Sequence, residues 1–156
     1  MSQEYGLKRF ILFIAAVLCI GASLSAQTAE RMDILLGTAE VSCAMAAIVV
    51  LPAAGIIPVG SSPEAAFAFA AEQGLLPKNA GADRAIKLGE LSFLIMRSFN
   101  MKSGIMYALF PSSRYAYREM TYRKLIQGRN DPSLTVSGER LLRIIGRTLE
   151  YVGEAE

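Results

Sequence analysis

The residues best suited to chemistry lie between positions 107 and 124, where aromatic and cationic side chains alternate: Tyr107, Arg114, Tyr115, Arg118, Tyr122, Arg123 and Lys124. Tyrosine and arginine together give broad contact area with directional hydrogen-bond donors, which suits recognition of sugars, phosphates or a protein partner. On a helix, Arg114, Arg118 and Tyr122 recur every four residues and share a face. An anionic polymer or an acidic lipid surface is the target this chemistry fits. The plainer reading packs Tyr117 and Tyr122 partly into the core and leaves the arginines solvated beside Glu119.

The same inventory argues against catalysis and metal binding. The chain has no histidine, and Ser92 and Ser98 have no base beside them in sequence. Ser103 follows Lys102, but adjacency in sequence is not the geometry of a Ser–Lys pair. Cys43 sits in an apolar run, Val41 to Ala47, where a buried inert thiol is the expected outcome. Carboxylates do not cluster. A non-enzymatic protein without cofactor or metal is therefore expected.

The net charge of +2 conceals an asymmetry. From Arg97 to Arg147 the chain carries ten basic residues (Arg97, Lys102, Arg114, Arg118, Arg123, Lys124, Arg129, Arg140, Arg143, Arg147) against Glu119, Asp131 and Glu139. At the other end, Lys8 and Arg9 precede an apolar run over residues 10–20, followed by small residues up to Ala26. That is the pattern of an export signal over residues 1–26, with a membrane anchor as the alternative. Cys19 follows Leu18 rather than a small residue, which disfavours lipidation. Cys43 would then be the one cysteine of a mature chain over 27–156, so no internal disulfide is expected. Export also makes nucleic acid an unsuitable partner, leaving an anionic envelope polymer or an envelope protein. Membrane contact is expected only through the N-terminal segment if it stays uncleaved.

The elements that position the cationic residues read as helices. Thr38 is expected to cap a helix over 39–51 stopped by Pro52. Ser62 with Pro63 and Glu64 opens a second, over 63–73, ended by Gly74. Leu91, Leu94, Ile95 and Phe99 give one face of a third, over 88–100. A short apolar segment follows at 105–110, then a helix over 114–126 ended by Gly128. The last helix, over 137–152, is expected to turn Leu141, Ile144, Ile145, Thr148 and Leu149 inward. Alanine, leucine, isoleucine and methionine dominate, so the class is all-α in one domain.

Several of these segments echo at an interval of fifty residues. Leu91, Leu94, Ile95, Arg97 and Ser98 precede Leu141, Ile144, Ile145, Arg147 and Thr148 by that interval, and Ala66, Phe67, Leu75 and Leu76 precede Ala116, Tyr117, Leu125 and Ile126. A fainter echo relates Asp33, Glu40, Val41 and Ser42 to Asp83, Glu90, Leu91 and Ser92. The expected architecture is therefore helix–loop–helix repeats of about fifty residues around one core, with units near 33–76, 83–126 and 133–152.

This unit resembles the S-layer homology domain, whose module is a short helix, a glycine-containing loop and a longer helix opened by an Ile-Thr-Arg-Ala-Glu-Phe type motif. The matching positions are Leu36-Gly37-Thr38-Ala39-Glu40-Val41, Ile86-Lys87-Leu88-Gly89-Glu90-Leu91 and Val136-Ser137-Gly138-Glu139-Arg140-Leu141. The resemblance implies a pseudo-threefold arrangement, first-turn positions for Glu40 and Glu90, and a structural or cell-wall polymer-binding role in the periplasm or cell envelope. The family's motif arginine is replaced by Thr38, Leu88 and Gly138, so the scaffold likeness reaches further than the ligand likeness. The alternative is a periplasmic protein–protein adaptor of an outer-membrane or appendage complex, presenting the apolar stretches 44–59 and 105–110.

Overall fold

The computed structural model describes residues 30, 32–102, 104–129 and 131–154. The expected export signal lies outside the described residues. The chain divides into one unit ending at Gly37, in which residues 32–37 are helical, and a second running from Thr38 to Glu156. Among the described residues no helix is long and apolar enough to cross a membrane.

The second unit is helical, with no strand among its described residues. Its helices are α1 (Cys43–Ala53), α2 (Pro63–Glu72), α3 (Leu88–Ser98), α4 (Ile105–Leu109), α5 (Ser113–Tyr122) and α6 (Gly138–Glu154). α1 packs on α2, α3 packs on α5, and α1 also meets α3 and α6. Each of these first two pairs joins a longer helix to a shorter one that comes after it in the chain. The core between them holds Val50, Leu51, Ala66, Ala70, Leu91, Leu94, Ile95, Met120, Leu141 and Ile144, all essentially withdrawn from water. Burying each large aliphatic side chain stabilises the fold by roughly 1.5–3 kcal/mol.

Serines set where four helices begin. The hydroxyls of Ser42, Ser62 and Ser112 accept from the N–H of Met45, Ala65 and Tyr115 at 3.2, 3.2 and 3.5 Å. Ser137 does the same for Arg140 at 3.4 Å. Lys87, which opens α3, has no acceptor to offer, and Glu90 instead takes the Lys87 N–H on Oε2 at 3.0 Å.

Four helices close in one way. After α1, α2, α3 and α5 the chain enters the left-handed region at Gly55, Gly74, Asn100 and Lys124. The next residue's N–H returns to the last turn: Ile56 to Leu51, Leu75 to Ala70, Met101 to Met96 and Leu125 to Met120. Each left-handed residue also donates to the carbonyl three back, at Pro52, Ala71, Arg97 and Thr121. This satisfies carbonyls the helix leaves open and, at Leu75, Met101 and Leu125, turns an apolar residue back onto the core, while Ile56 stays exposed. Lys124, not Gly128, therefore ends the helix expected over 114–126, which stops at Tyr122.

The start of α1 corrects the sequence reading. The helix opens at Cys43 with Ser42 as its cap, not at Ala39 with Thr38. Glu40 therefore lies ahead of the helix, exposed, and accepts from the Thr135 hydroxyl at 2.9 Å. The segment that corresponds in structure to the approach to α3 is Val41-Ser42-Cys43, at an interval of 45 residues from Ile86-Lys87-Leu88 rather than fifty. The interval from there to Val136-Ser137-Gly138 is fifty. The interval of fifty between Glu40 and Glu90 therefore differs from the interval between the two helix starts. Leu149, expected inward, is exposed, whereas Thr148 is buried and donates to the Ile144 carbonyl at 2.8 Å.

The three segments leading into α1, α3 and α6 are joined by backbone hydrogen bonds that run in a cycle. The first residue of each helix donates to another segment: Cys43 N–H to Arg84 O (2.9 Å), Leu88 N–H to Leu134 O (2.8 Å) and Gly138 N–H to Thr38 O (3.0 Å). Ile86 N–H donates to Val41 O at 2.9 Å, and Val41 N–H to Val136 O at 2.8 Å. Val41, Ile86 and Val136 are fully buried there. Helix N-termini leave their first amides without intrahelical partners, and this collar supplies them.

Gly89, the second residue of α3, is pressed against the collar. Its N–H donates to the Pro132 carbonyl at 2.9 Å, and a Cβ added there would lie 3.3 Å from that oxygen. Gly146, within α6, has open space around it. Gly89→Val is expected to lower unfolding free energy by about 1–3 kcal/mol through overpacking. Gly146→Ala should raise it by roughly 0.5–1 kcal/mol through helix propensity. Urea denaturation of the two variants checks both signs.

Candidate binding surface and arginine groove

The cationic–aromatic residues singled out in sequence divide on folding. Arg114, Arg118 and Tyr122 are exposed on α5 at four-residue spacing, Lys124 is exposed just beyond it, and Tyr115 is half-buried. Arg123 is committed to structure. Its Nε and one terminal nitrogen donate to Glu119 Oε1 at 3.0 and 2.8 Å, and it also reaches the Lys102 carbonyl. Its guanidinium lies 5.0 Å from the centre of the Tyr151 ring. Tyr107 leaves the surface altogether. It is buried on α4, its ring meets Phe93 edge-on at 6.3 Å, and its hydroxyl has no partner among the described residues.

Tyr107 lines a cavity of about 420 Å³ with Gln73, Leu75, Met96, Arg97, Asn100, Met101, Ala108 and Pro111. Burial pushes its phenol above the ordinary value, offset in part by the nearby Arg97 charge. Arg97 itself is 5.8 Å from the Phe93 ring centre.

A second cavity of the same size gathers cations that the sequence reading counted but did not bring together. It is lined by Gln127, Gly128, Arg129, Arg140, Arg143, Ile144 and Arg147. Arg140, Arg143 and Arg147 follow at intervals of three and four residues, which puts them on one face of α6. Arg129 comes from the loop before it. That spacing is the signal the sequence carries; the approach of Arg129 to this face depends on the fold.

Backbone carbonyls hold two of these side chains in place. Arg140 donates to Arg129 O at 2.6 Å, and Arg147 to Leu125 O at 3.3 Å. Arg143 meets Glu139 at 3.3 Å in an exposed pair of the kind that contributes little. Among the described residues, no carboxylate lines the groove. Arg140 is also in the first turn of α6, where a cation opposes the helix dipole. Like charges three and four residues apart repel by a few tenths of a kcal/mol per pair. An anion bound among the guanidiniums relieves both costs, and the planar forks match carboxylate or phosphate oxygens.

Elsewhere the ionic chemistry is structural. Arg84 clasps Glu90 through two bonds, at 3.1 and 3.0 Å, while its own carbonyl accepts from Cys43. The hydrogen bond to Glu90 is the main reason the guanidinium holds its proton more firmly than usual. Cys43 is fully buried, and desolvation raises its thiol above the ordinary value despite the Arg84 charge. No group of three or more candidate metal ligands occurs among the described residues.

No known protein family, curated protein or solved structure matches this chain.

The two buried groups have measurable consequences. Cys43 should stay unreactive towards an aromatic disulfide reagent at pH 8 and react stoichiometrically once urea unfolds the chain. Tyr107→Phe removes an unpaired buried hydroxyl and should leave stability unchanged or raise it by about 1 kcal/mol. Because the folded state holds the Tyr107 proton more tightly than the unfolded chain, wild-type stability falls as pH rises past the ordinary tyrosine value of 10.0. The variant should lose part of that alkaline slope in urea titrations at pH 8 and 11.

Proposed function

We propose that this chain is a non-catalytic module of the bacterial cell envelope, exported by its N-terminal segment, that binds an anionic envelope polymer. The arginine groove of Arg129, Arg140, Arg143 and Arg147 carries this reading. Four forked donors in one cavity, with no lining carboxylate among the described residues, favour a ligand with several carboxylate or phosphate groups over a neutral one. The exposed stripe of Arg114, Arg118 and Tyr122 offers further contacts to a chain-like ligand.

On this reading the scaffold is a three-unit repeat resembling S-layer homology domains, with an approximate threefold axis through the collar. The cyclic donation from Cys43, Leu88 and Gly138 supports it, as do the matched closures at Gly74 and Lys124 fifty residues apart. The motif arginine of that family is absent, and in this proposal the cations of α6 take over its task.

Co-sedimentation with purified cell-wall sacculi across a salt series tests the proposal. Wild-type protein should bind at low salt and dissociate progressively as salt rises, because several charge contacts are exchanged for counterions. Each of Arg140→Ala and Arg147→Ala should weaken binding by roughly five- to tenfold, the effect of about 1–1.4 kcal/mol per charge-assisted contact. Absence of co-sedimentation at low salt, with the protein folded by circular dichroism, would falsify polymer binding.

A further inference from the structure

α4 is built inside out. Helices of globular proteins turn their apolar residues to the core and their polar ones to water. In α4 the buried residue is Tyr107, 8% exposed, whose hydroxyl has no partner among the described residues. The aliphatic and aromatic neighbours face water: Ile105 is 77% exposed, Met106 52%, Leu109 64% and Phe110 60%. Tyr107, packed on Phe93, fixes the turn to the body while the residues around it project outward.

The surroundings of this projecting turn are cationic. Lys102 precedes it and Arg114 and Arg118 follow it, all three exposed, and the sequence from 101 to 118 contains no carboxylate. The nearest acid, Glu119, approaches Gly104, but its charge is committed to Arg123. Exposed cations before and after a turn of protruding large apolar side chains match the boundary between lipid headgroups and acyl chains. A protein partner of comparable affinity would call for a larger and more continuous apolar patch than one helical turn supplies.

We propose that α4 is a docking spur for an anionic bilayer surface: Ile105, Met106, Leu109 and Phe110 enter the acyl boundary while Lys102, Arg114 and Arg118 face lipid phosphates. This contact is separate from the arginine groove on α6, although Arg114 and Arg118 also belong to the stripe offered above to a chain-like ligand. It also differs from any contact made by the N-terminal apolar segment, so its test must report on α4 itself.

The chain contains no tryptophan, which makes that possible. Phe110→Trp places a single fluorophore on the spur of the full chain, and Val59→Trp places one at an exposed loop position outside it. Vesicles of phosphatidylcholine with phosphatidylglycerol should shift the emission of the Phe110→Trp variant to the blue. Lipids brominated on the acyl chain should quench it. Pure phosphatidylcholine vesicles should do neither, and the fluorophore of the Val59→Trp variant should stay aqueous in both. Adding Arg114→Glu and Arg118→Glu to the Phe110→Trp variant should weaken partitioning by roughly fivefold per cation removed.

An unshifted emission of the Phe110→Trp variant with anionic vesicles, circular dichroism being native, overturns the proposal. So does an equal shift with neutral vesicles, or a shift in both variants, which indicates unfolding onto lipid. A shift that depends on protein concentration without lipid also overturns it, and assigns the spur to contacts between copies of this chain.

Discussion

The fold depends on the exchange of backbone hydrogen bonds among the three segments that open α1, α3 and α6. Helix starts are awkward to bury, because their leading amides have nothing within the helix to bond. Here each start is buried against the approach to another, and the donors at Cys43, Leu88 and Gly138 are matched with carbonyls at Arg84, Leu134 and Thr38. Each net hydrogen bond contributes only about 0.5–1.5 kcal/mol, but leaving a buried amide unpaired costs about 1–3 kcal/mol. The collar is therefore held less by attraction than by the cost of opening it. Val41, Ile86 and Val136 fill its interior and exclude the water that would otherwise compete.

The collar also explains how polar chemistry is distributed. Arg84 stands where two segments meet, giving its carbonyl to Cys43 and its guanidinium to Glu90, so that one residue ties α1 to the first turn of α3. The corresponding first-turn position of α6 holds Arg140, a residue that its own helix dipole disfavours. What the helix loses in local stability appears in the groove as a preorganised cation, steadied by the Arg129 carbonyl. The segments around the collar are thus alike in backbone and unlike in charge: the first turn of α3 carries Glu90 where that of α6 carries Arg140.

Much of the architecture was legible in the residues. Ser62 and Ser112 announce their helices through short-range chemistry, a hydroxyl three residues ahead of an open amide, and Gly74 marks its helix end through a left-handed backbone that glycine adopts without strain. Lys124 adopts the same conformation with no such signature, which is why the end of α5 was misplaced. The start of α1 was misread for a different reason. Two glutamates at an interval of fifty looked like repeated capping residues, and only the three-dimensional partner of Glu40, the hydroxyl of Thr135, shows that it serves another purpose. The groove was hidden because Arg129 meets the face of α6 only after the chain folds, and Arg123, which looks equally free in sequence, is consumed by Glu119 and Tyr151.

The bond from Gly138 to Thr38 joins residues one hundred positions apart and, with that from Val41 to Val136, returns the cycle to its beginning. A stack of repeats can grow or shrink by a unit because its ends stay open. A cycle has no end at which to add. Lengthening or shortening this chain by one segment would leave a buried amide without its carbonyl, so closure itself counts the segments. Synthesis also proceeds from Thr38 towards Gly138, and the first segment must wait for the last before its carbonyl is used. The unit is then expected to assemble late and together, governed by long-range closure rather than helix by helix.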